Sequence, residues 1–352
     1  MLEKMRPPTR LLLAVGTGTI NDLTRFVSHR TGTPYVVVAT APSMDGYASS
    51  VAALVVNNMK LTMTAWGAKA ILAAPSVLAA SPPVMIAAGL GDILGKYTAL
   101  CDWRLAGIVE NEYQCDYVAG LVMQAVNDCR RQAGSLAIQD EAAVSDVFRA
   151  LILTGLVISY VGSSRPASGS EHHLSHFWEM AFIRTGRPPV LHGSKVGLAT
   201  LMTCLLYRHL IDLQPDFRRA RRIALQYQEN DWVRKMQQIY GSGADEIIRL
   251  EKRTGRHDAE KACARISQIE KCWPAILALV RQTIPEPADI RPILLQSGGI
   301  TEPAELGISR ELVADSLRHA MEMRPIYTLL RLYSDLGETE TAIRLIDRSF
   351  LF

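Results

Sequence analysis

Near the start of the chain, apolar residues form short runs that end in glycine, proline or small polar residues. LLLAV at 11–15 is closed by Gly-Thr-Gly-Thr, and YVVVATAP at 35–42 ends at a proline. Short apolar runs of this kind are typical of buried strands. Between them, INDLTRFVSHR at 20–30 carries apolar residues at helical spacing. This succession of strand, glycine turn, helix and strand predicts a parallel βαβ unit.

The pattern changes further along the chain. AILAAP at 70–75 predicts another strand and a turn, with a short helix before VMIAAGLGDIL at 84–94. From about residue 95, leucine, alanine, methionine and isoleucine recur every three or four residues, which predicts helices. The predicted helices lie at 97–109, 117–134, 141–162, 195–212, 215–240, 257–282 and 309–348. Polar turns are predicted at 163–170, 185–194, 241–243, 284–291 and 297–303.

We therefore predict a two-part α/β and all-helical architecture. Residues 1–94 form a partial dinucleotide-binding α/β domain with a truncated, Rossmann-like parallel sheet. Residues 95–352 form a large all-helical domain that binds the metal and the substrate. The chain has 352 residues, of which 48% are hydrophobic, so it can bury the core of two domains.

Charge and cysteine content narrow the functional class. The net charge of +3 is too mild to indicate a nucleic-acid partner. We expect no membrane span, because no apolar stretch is expected to reach the roughly 18–20 residues that a bilayer requires. The six cysteines form no CxxC pair and the N-terminus lacks a signal-peptide pattern. These features predict a cytoplasmic protein with reduced thiols.

Two loops are candidate ligand sites. In AVGTGTIND (14–22), Gly16 and Gly18 stand between a strand and a helix, where free N–H groups and the helix dipole favour phosphate. TAPSMDGYASS (40–50) follows the next strand, at the carboxyl end where open α/β sheets bind ligands. Its hydroxyls suit a phosphate or a nicotinamide, and Asp45 suits a substrate hydroxyl. An ordinary βα turn and a Ser/Gly loop with capping roles are the alternatives.

Histidines and a carboxylate form a candidate metal site. His172 and His176, in RPASGSEHHLSHFWE (165–179), share a helical face, and His192 stands in a turn that opens a helix. With Asp92 of GDILGK, His172 and His192 make a three-ligand set that leaves a position for a substrate oxygen. Zinc, iron, nickel or cobalt suits such ligands. Structural histidines grouped by chance are the alternative.

The remaining polar residues of the histidine segment are not predicted to bind the metal. His173 points about 100° away from the face of His172 and is predicted to be a bystander. Glu171 and Glu179 are predicted to be charges at the helix end and on the surface.

Six segments, taken in order, resemble the sn-glycerol-1-phosphate dehydrogenases, notably the bacterial AraM-like members. These enzymes belong to the superfamily of iron-containing alcohol dehydrogenases, glycerol dehydrogenase and dehydroquinate synthase, so the resemblance implies a dehydroquinate synthase-like fold. It runs from about residue 10 to about residue 340. The segments are GTGTIND, TAPSMDGYAS, GDILGKYTALCDW, SRPASGSEHHLSHFWE, LHGSKVGLAT and RPIYTLLRLYSDLG.

The resemblance assigns roles to particular residues. It implies that Asp92, His172 and His192 hold one divalent metal ion, zinc or nickel. It implies that NAD(P) contacts Gly16, Thr17, Gly18, Thr19, Asp22, Thr40, Ser43 and Ser49. The substrate is expected to contact Asp45, Asp92, Arg165 and Lys195, with Arg165, Lys195 and Lys96 as candidates for its phosphate. His176 and Lys96 are the candidate catalytic residues, with His176 transferring a proton or orienting the substrate.

The implied reaction is the reversible reduction of dihydroxyacetone phosphate by NAD(P)H to sn-glycerol 1-phosphate, a step of phospholipid biosynthesis. A homodimer or higher homo-oligomer is expected. Two alternatives remain. The chain could keep the metal site but be impaired or need a partner, or it could be a dehydroquinate synthase-like metal enzyme. The sequence leaves open the metal, the choice between NADH and NADPH, and the oligomeric state.

The N-terminus departs from the family pattern. Family members place several βα units before the glycine turn, whereas only fifteen residues precede Gly16 here. We therefore expect the first half of the dinucleotide domain to be missing from these 352 residues. Either the natural protein is longer, or this half has been lost together with much of the cofactor affinity. In the second case the strand at 11–15 would have an exposed edge, a known aggregation liability that a partner subunit could cover.

Overall fold

A computed structural model describes residues 9–56 and 59–352, beginning with a small α/β part. Its first elements are β1 (Leu12–Gly16), α1 (Gly18–Thr31), β2 (Tyr35–Ala39), β3 (Val51–Val56), β4 (Met59–Thr64) and β5 (Ala70–Ala73). The strands β1, β2 and β5 form a parallel sheet in the order β1–β2–β5. The predicted βαβ unit is confirmed. The antiparallel hairpin of β3 and β4 was not predicted.

Helices make up most of the remaining chain. They are α2 (Pro75–Ala79), α3 (Pro83–Leu94), α4 (Lys96–Glu110), α5 (Asp116–Arg131), α6 (Ala133–Leu136), α7 (Glu141–Val161), α8 (Ser170–Arg184), α9 (His192–His209), α10 (Phe217–Leu225), α11 (Glu229–Tyr240), α12 (Ala244–Thr254), α13 (Ala259–Thr283), α14 (Pro287–Gln296), α15 (Arg310–His319), α16 (Leu329–Asp335) and α17 (Thr339–Ser349). The predicted combination of a small parallel sheet and a large helical part is confirmed.

Some predicted boundaries were wrong. The polar segment 284–291 was predicted to be a turn, but α14 begins within it at Pro287, because proline suits the first helical position. The predicted helix at 215–240 is two helices, α10 and α11, separated by extended backbone at Gln228. The helix α3 packs against α7 and α9, ahead of residue 95. The division of the chain at residues 94 and 95 stays a prediction.

The helix α9 lies at the centre of the helical part. Every residue from 193 to 204 is buried, as expected for a helix that is covered on all sides. At its crossing with α3 the backbones touch, since a Cβ on Gly193 would lie 1.8 Å from the carbonyl oxygen of Ala88. A Cβ on Gly91 would lie 2.6 Å from the carbonyl oxygen of Gly193. Glycine at this crossing therefore allows the two helices to approach closely.

Two helical stretches satisfy the length and composition of a membrane span, which corrects the expectation that none would. They are Pro83–Glu110, which comprises α3 and α4, and Glu141–Val161. Within the protein, 89% of the apolar window of the first stretch and 56% of that of the second are buried. Burial in the protein core accounts for their apolar character.

Candidate active site

The three predicted metal ligands come together from α3, α8 and α9. One potential ligand atom from each of Asp92, His172 and His192 lies within 4.8 Å of the others. His172 Nε2 is 3.6 Å from Asp92 Oδ1, and the ring centroids of His172 and His192 are 5.2 Å apart. The ring of His176 lies 5.6 Å from that of His192. The glycine crossing explains this meeting, because Asp92 and His192 are each adjacent in sequence to a crossing glycine.

Glu171 holds the imidazole of His172 in place. It is fully buried, unlike the surface charge that the sequence suggested. Its Oε1 lies 2.7 Å from His172 Nδ1 and accepts a hydrogen bond from Gly169 N, while Oε2 accepts one from Thr98 Oγ1 at 2.6 Å. Burial alone would raise the pKa of this carboxyl, but these hydrogen bonds hold its pKa below the usual value.

These residues fit a divalent metal ion. An ionised Glu171 can only accept, which fits a hydrogen on His172 Nδ1 and leaves Nε2, on the side of Asp92, as the potential ligand atom. The distance of 3.6 Å between His172 Nε2 and Asp92 Oδ1 fits two ligands of one cation. Two ligand atoms of a tetrahedral zinc ion are about 3.4 Å apart. A carboxylate behind a ligating histidine is also the usual outer partner of such a site.

Lys96 lies beside this cluster as a buried cation. Its Nζ donates to Asp45 Oδ2 and Asp92 Oδ1, both at 2.8 Å, and to the carbonyl of Ala167 at 3.1 Å. Burial favours the neutral amine, but the two carboxylates outweigh it and raise the pKa of Lys96. Lys96 is therefore a cation at neutral pH. Its three N–H groups all have acceptors, which leaves none for a substrate phosphate.

The other two predicted phosphate partners also have protein partners. The guanidinium of Arg165 is paired with Glu112 and donates to the carbonyl of Tyr327 at 2.8 Å. The buried Lys195 Nζ is 3.3 Å from Glu179 Oε2. A substrate-binding role of Arg165 and Lys195 stays a prediction.

Arg25 fixes the loop that carries Asp45. The sequence predicted no role for this arginine. The buried guanidinium of Arg25 donates to the carbonyls of Gly46, Tyr47 and Val51 at 2.6–2.9 Å. The loop also reaches the metal cluster, because Asp45 N donates to Asp92 Oδ2 at 3.1 Å. Asp45 therefore lies beside Asp92, and its role in substrate binding stays a prediction.

Predicted cofactor residues surround the carboxyl ends of β1 and β2. Gly16 has a φ of +152°, which favours glycine, and the first turn of α1 follows it. A cavity of about 500 Å³ opens here and is lined by Thr17, Thr40, Ala41, Ser76, Val77, Ala80, Ser81, Pro82 and Met85. Of the predicted cofactor residues, Thr17 and Thr40 line it. The residues from α2 and α3 were missed, although the carboxyl end of a third parallel strand pointed to them.

The other predicted cofactor residues are not among the residues that line this cavity. Gly18 and Thr19 begin α1, and Asp22 pairs with Arg25 at 2.7 Å. Ser43 is buried in the loop, and the hydroxyl of Ser49 accepts a hydrogen bond from Val51 N at 3.1 Å. Their contact with a cofactor stays a prediction.

Asp102 is a buried carboxylate that the sequence did not single out. It accepts hydrogen bonds from Ser170 N at 2.5 Å, Leu329 N at 2.6 Å and Tyr207 Oη at 2.5 Å. Burial, more than the nearby Glu171, raises its pKa to about 6. Asp102 therefore ties the starts of α8 and α16 to α9, and it helps to position His172.

Comparison with known proteins identifies the family. A family model described as iron-containing alcohol dehydrogenase matches residues 2–82. The chain is 34% identical over 322 residues to glycerol-1-phosphate dehydrogenase [NAD(P)+] of Halalkalibacterium halodurans, covering 92% of this chain and 70% of that relative. The chain belongs to the iron-containing alcohol dehydrogenase family. It is thus an enzyme of the NAD(P)-dependent alcohol dehydrogenase type, which confirms the sequence-based prediction.

A second relative and a solved structure are also similar to this chain. The glycerol-1-phosphate dehydrogenase [NAD(P)+] of Geobacillus stearothermophilus is 36% identical over 314 residues, covering 89% of this chain and 69% of that relative. The structure of glycerol dehydrogenase from Schizosaccharomyces pombe matches with a TM-score of 0.57 at 13% identity, covering 99% of this chain and 74% of that one. At such low identity the structural likeness concerns the fold alone.

Proposed function

We propose that this protein catalyses the metal-dependent reduction of dihydroxyacetone phosphate by NAD(P)H to sn-glycerol 1-phosphate. The observation that carries the proposal is the meeting of Asp92, His172 and His192, with the Glu171 carboxylate behind His172. The names of the relatives at 34–36% identity supply the substrate.

The ligand set and the cofactor contacts follow from the same proposal. Asp92, His172 and His192 would hold one divalent ion, zinc or nickel, which when bound polarises the substrate carbonyl as a Lewis acid. NAD(P)H would enter the cavity beside Thr17 and Thr40. The turn of Gly16, Gly18 and Thr19 would contact its phosphates, with Asp22, Ser43 and Ser49 nearby. Hydride transfer is the chemistry of the cofactor.

Other side chains would bind the substrate and handle its proton. Asp45, held by Lys96, would accept a hydrogen bond from a substrate hydroxyl. Lys96 stays protonated, so it would keep Asp45 and Asp92 in place and counter their negative charge rather than act as a base. His176 would donate the proton that completes the alcohol, since its ring lies within the histidine cluster and is partly exposed.

The test is NAD(P)H consumption by protein reconstituted with zinc, nickel, iron or cobalt. Addition of dihydroxyacetone phosphate should oxidise NADH or NADPH, and His172→Ala and His192→Ala should lose both bound metal and turnover. His209→Ala is the control, because His209 lies at the far end of α9 and contacts Tyr333 instead. Absence of turnover with every one of these metals would contradict the proposal for this chain. Metal binding without turnover would favour the alternative of an impaired chain or one that needs a partner.

A further inference from the structure

Arg324 is a cation for which the described residues provide no counter-ion. It opens RPIYTLL, a segment of the family resemblance that was given no role. Its side chain is partly buried, and burial lowers its pKa. Its guanidinium donates to Ser164 Oγ at 3.3 Å. Among the described residues, no carboxylate lies within ion-pairing distance of Arg324, whereas the nearby Arg165, Arg256 and Arg331 each have one.

Buried polar groups lie near this cation. Within the described part of the chain, both ring nitrogens of His173 and the hydroxyl of Ser168 have no hydrogen-bond partner. Both side chains are more than nine-tenths buried. Ser168 N donates to Ser164 O at 2.9 Å within one turn, and the charge of Arg324, after burial, lowers the pKa of His173. We call Ser164, Ser168, His173 and Arg324 the Arg324 cluster.

The Arg324 cluster lies next to the candidate active site. Ser164 and Ala167 belong to the same turn, because Ala167 N donates to Ser164 O at 3.0 Å. The Ser164 end of this turn contacts Arg324, and the Ala167 end contacts Lys96. The ends of such a turn are under about 7 Å apart. Lys96 in turn touches Asp45 and Asp92.

An anion would satisfy this cluster where water would not. Waters can bond the hydroxyls and the imidazole, but they leave the charge of a partly buried guanidinium without compensation, which is costly. A phosphate group supplies both the negative charge and several acceptor oxygens, and arginine is well suited to bind it. Lys96 and Arg165, which were predicted to bind the phosphate, are already engaged with carboxylates.

We propose that the Arg324 cluster binds the phosphate group of the substrate. The identity of the phosphate ester rests on the proposed function, whereas the presence of an anion site does not depend on it. Arg324 provides the charge, Ser164 and Ser168 provide hydroxyl donors, and a ring N–H of His173 provides a further one. The carbonyl of the same ester would then point towards Asp92.

The anion site is tested first without catalysis, with inorganic phosphate as the probe. Phosphate at tenfold its Kd should raise the unfolding temperature of the purified protein by about 2 °C over chloride of equal ionic strength. In Arg324→Gln the shift should vanish. Without phosphate, this variant should unfold at the same or a higher temperature than wild type, because an uncompensated charge has been removed. A merely structural arginine would instead lower that temperature.

Steady-state kinetics then test whether this site binds the phosphate of the substrate. Arg324→Gln should raise KM for dihydroxyacetone phosphate by about 10–100-fold, while kcat/KM for unphosphorylated dihydroxyacetone changes little. Arg324→Lys should restore part of the loss. Arg310→Gln is the control, because Arg310 is exposed and paired with Asp347. If Arg324→Gln does not fold, Ser164→Ala should show a smaller loss in the same two assays.

The outcomes separate the two proposals. Wild-type affinity for phosphate in Arg324→Gln, or an equal loss of activity towards both substrates, would overturn the Arg324 assignment and leave the dehydrogenase intact. Phosphate binding that depends on Arg324, in a protein without any turnover, would support the anion site and count against the proposed function.

Discussion

Glu171 shows how burial changes the role of a single residue. An acidic side chain in the first turn of a helix ordinarily interacts with the helix dipole at the surface. Here the side chain turns inward, and both of its oxygens accept hydrogen bonds, from His172, Thr98 and Gly169. Its position in the sequence therefore suggested a surface charge, whereas its environment makes it the partner of a metal-binding histidine.

We expect Glu171→Gln to bind its metal ion about 10–100-fold more weakly, the usual effect of losing such an outer partner. Glutamine keeps the shape but has only one acceptor oxygen, so it cannot serve His172 Nδ1, Gly169 N and Thr98 together. Competition with a chelator, followed by measurement of retained metal, gives the affinity. Glu179→Gln is the matched control, since Glu179 lies on the same helix and is paired with Lys195. Equal metal affinity in the two variants would show that Glu171 does not support His172.

Lys96 is the residue on which the charge balance of the site depends. Lys96→Met removes the buried cation between Asp45 and Asp92 and leaves their two carboxylates without a compensating positive charge. Loss of one member of a buried ion pair costs about 3–5 kcal/mol of unfolding free energy. Denaturant unfolding of metal-free protein measures the change, and added zinc should recover part of it by supplying positive charge. Lys252→Met, at an exposed position of α12, should change stability little. A similarly small change in Lys96→Met would contradict the structural role.

At the scale of elements, the crossing of α3 and α9 sets the ligand geometry. A methyl group on Gly193 would lie 1.8 Å from Ala88 O, a contact that only movement of the helix backbone can relieve. Gly193→Ala should therefore separate Asp92 from His192. We expect most of the bound metal to be lost and the unfolding temperature to fall, as measured by metal analysis and calorimetry.

Gly120→Ala is the control for this crossing. Gly120 lies within α5 and a Cβ there would meet nothing within 4 Å, so alanine should stabilise the helix by about 0.5–1 kcal/mol. If Gly193→Ala retains stoichiometric metal, the close crossing is not what holds the ligand set together.

Local pattern predicted the elements better than the contacts between them. The repeat of apolar residues identified α5 and α7, because each buries one face, and it identified α4, most of whose residues are buried. The β3–β4 hairpin was not predicted, although VAALVV at 51–56 is a short apolar run of the kind that is typical of strands. For the site, the spacing of His172 and His176 and the family motifs led to the ligand set.

The supporting residues could not be predicted in the same way. Asp102 and Arg25 have partners far away in sequence, such as Leu329 and Val51, and a single sequence carries no signal for such pairs. No role was predicted for Arg324, because the lack of a neighbouring carboxylate among the described residues can be recognised only in the folded structure.

At the scale of the whole molecule, one face of the parallel sheet is apolar and open to solvent. Leu11, Leu13, Val15 and Leu72 are each more than half exposed. In the described part of the chain, β1 pairs with β2 on one side and forms an edge of the sheet. Contiguous apolar surface beside a free strand edge promotes association between chains.

Leu13→Lys should therefore reduce self-association of the protein. A charge at the middle of β1 interrupts the apolar face and disfavours pairing at the strand edge. Because Leu13 is exposed, its replacement should leave the unfolding temperature almost unchanged. Light scattering and sedimentation across a range of protein concentrations measure the association. Leu225→Lys, at an exposed apolar position on the short helix α10, adds the same charge elsewhere. An equal effect of both variants would mean that net charge, rather than the sheet face, controls association.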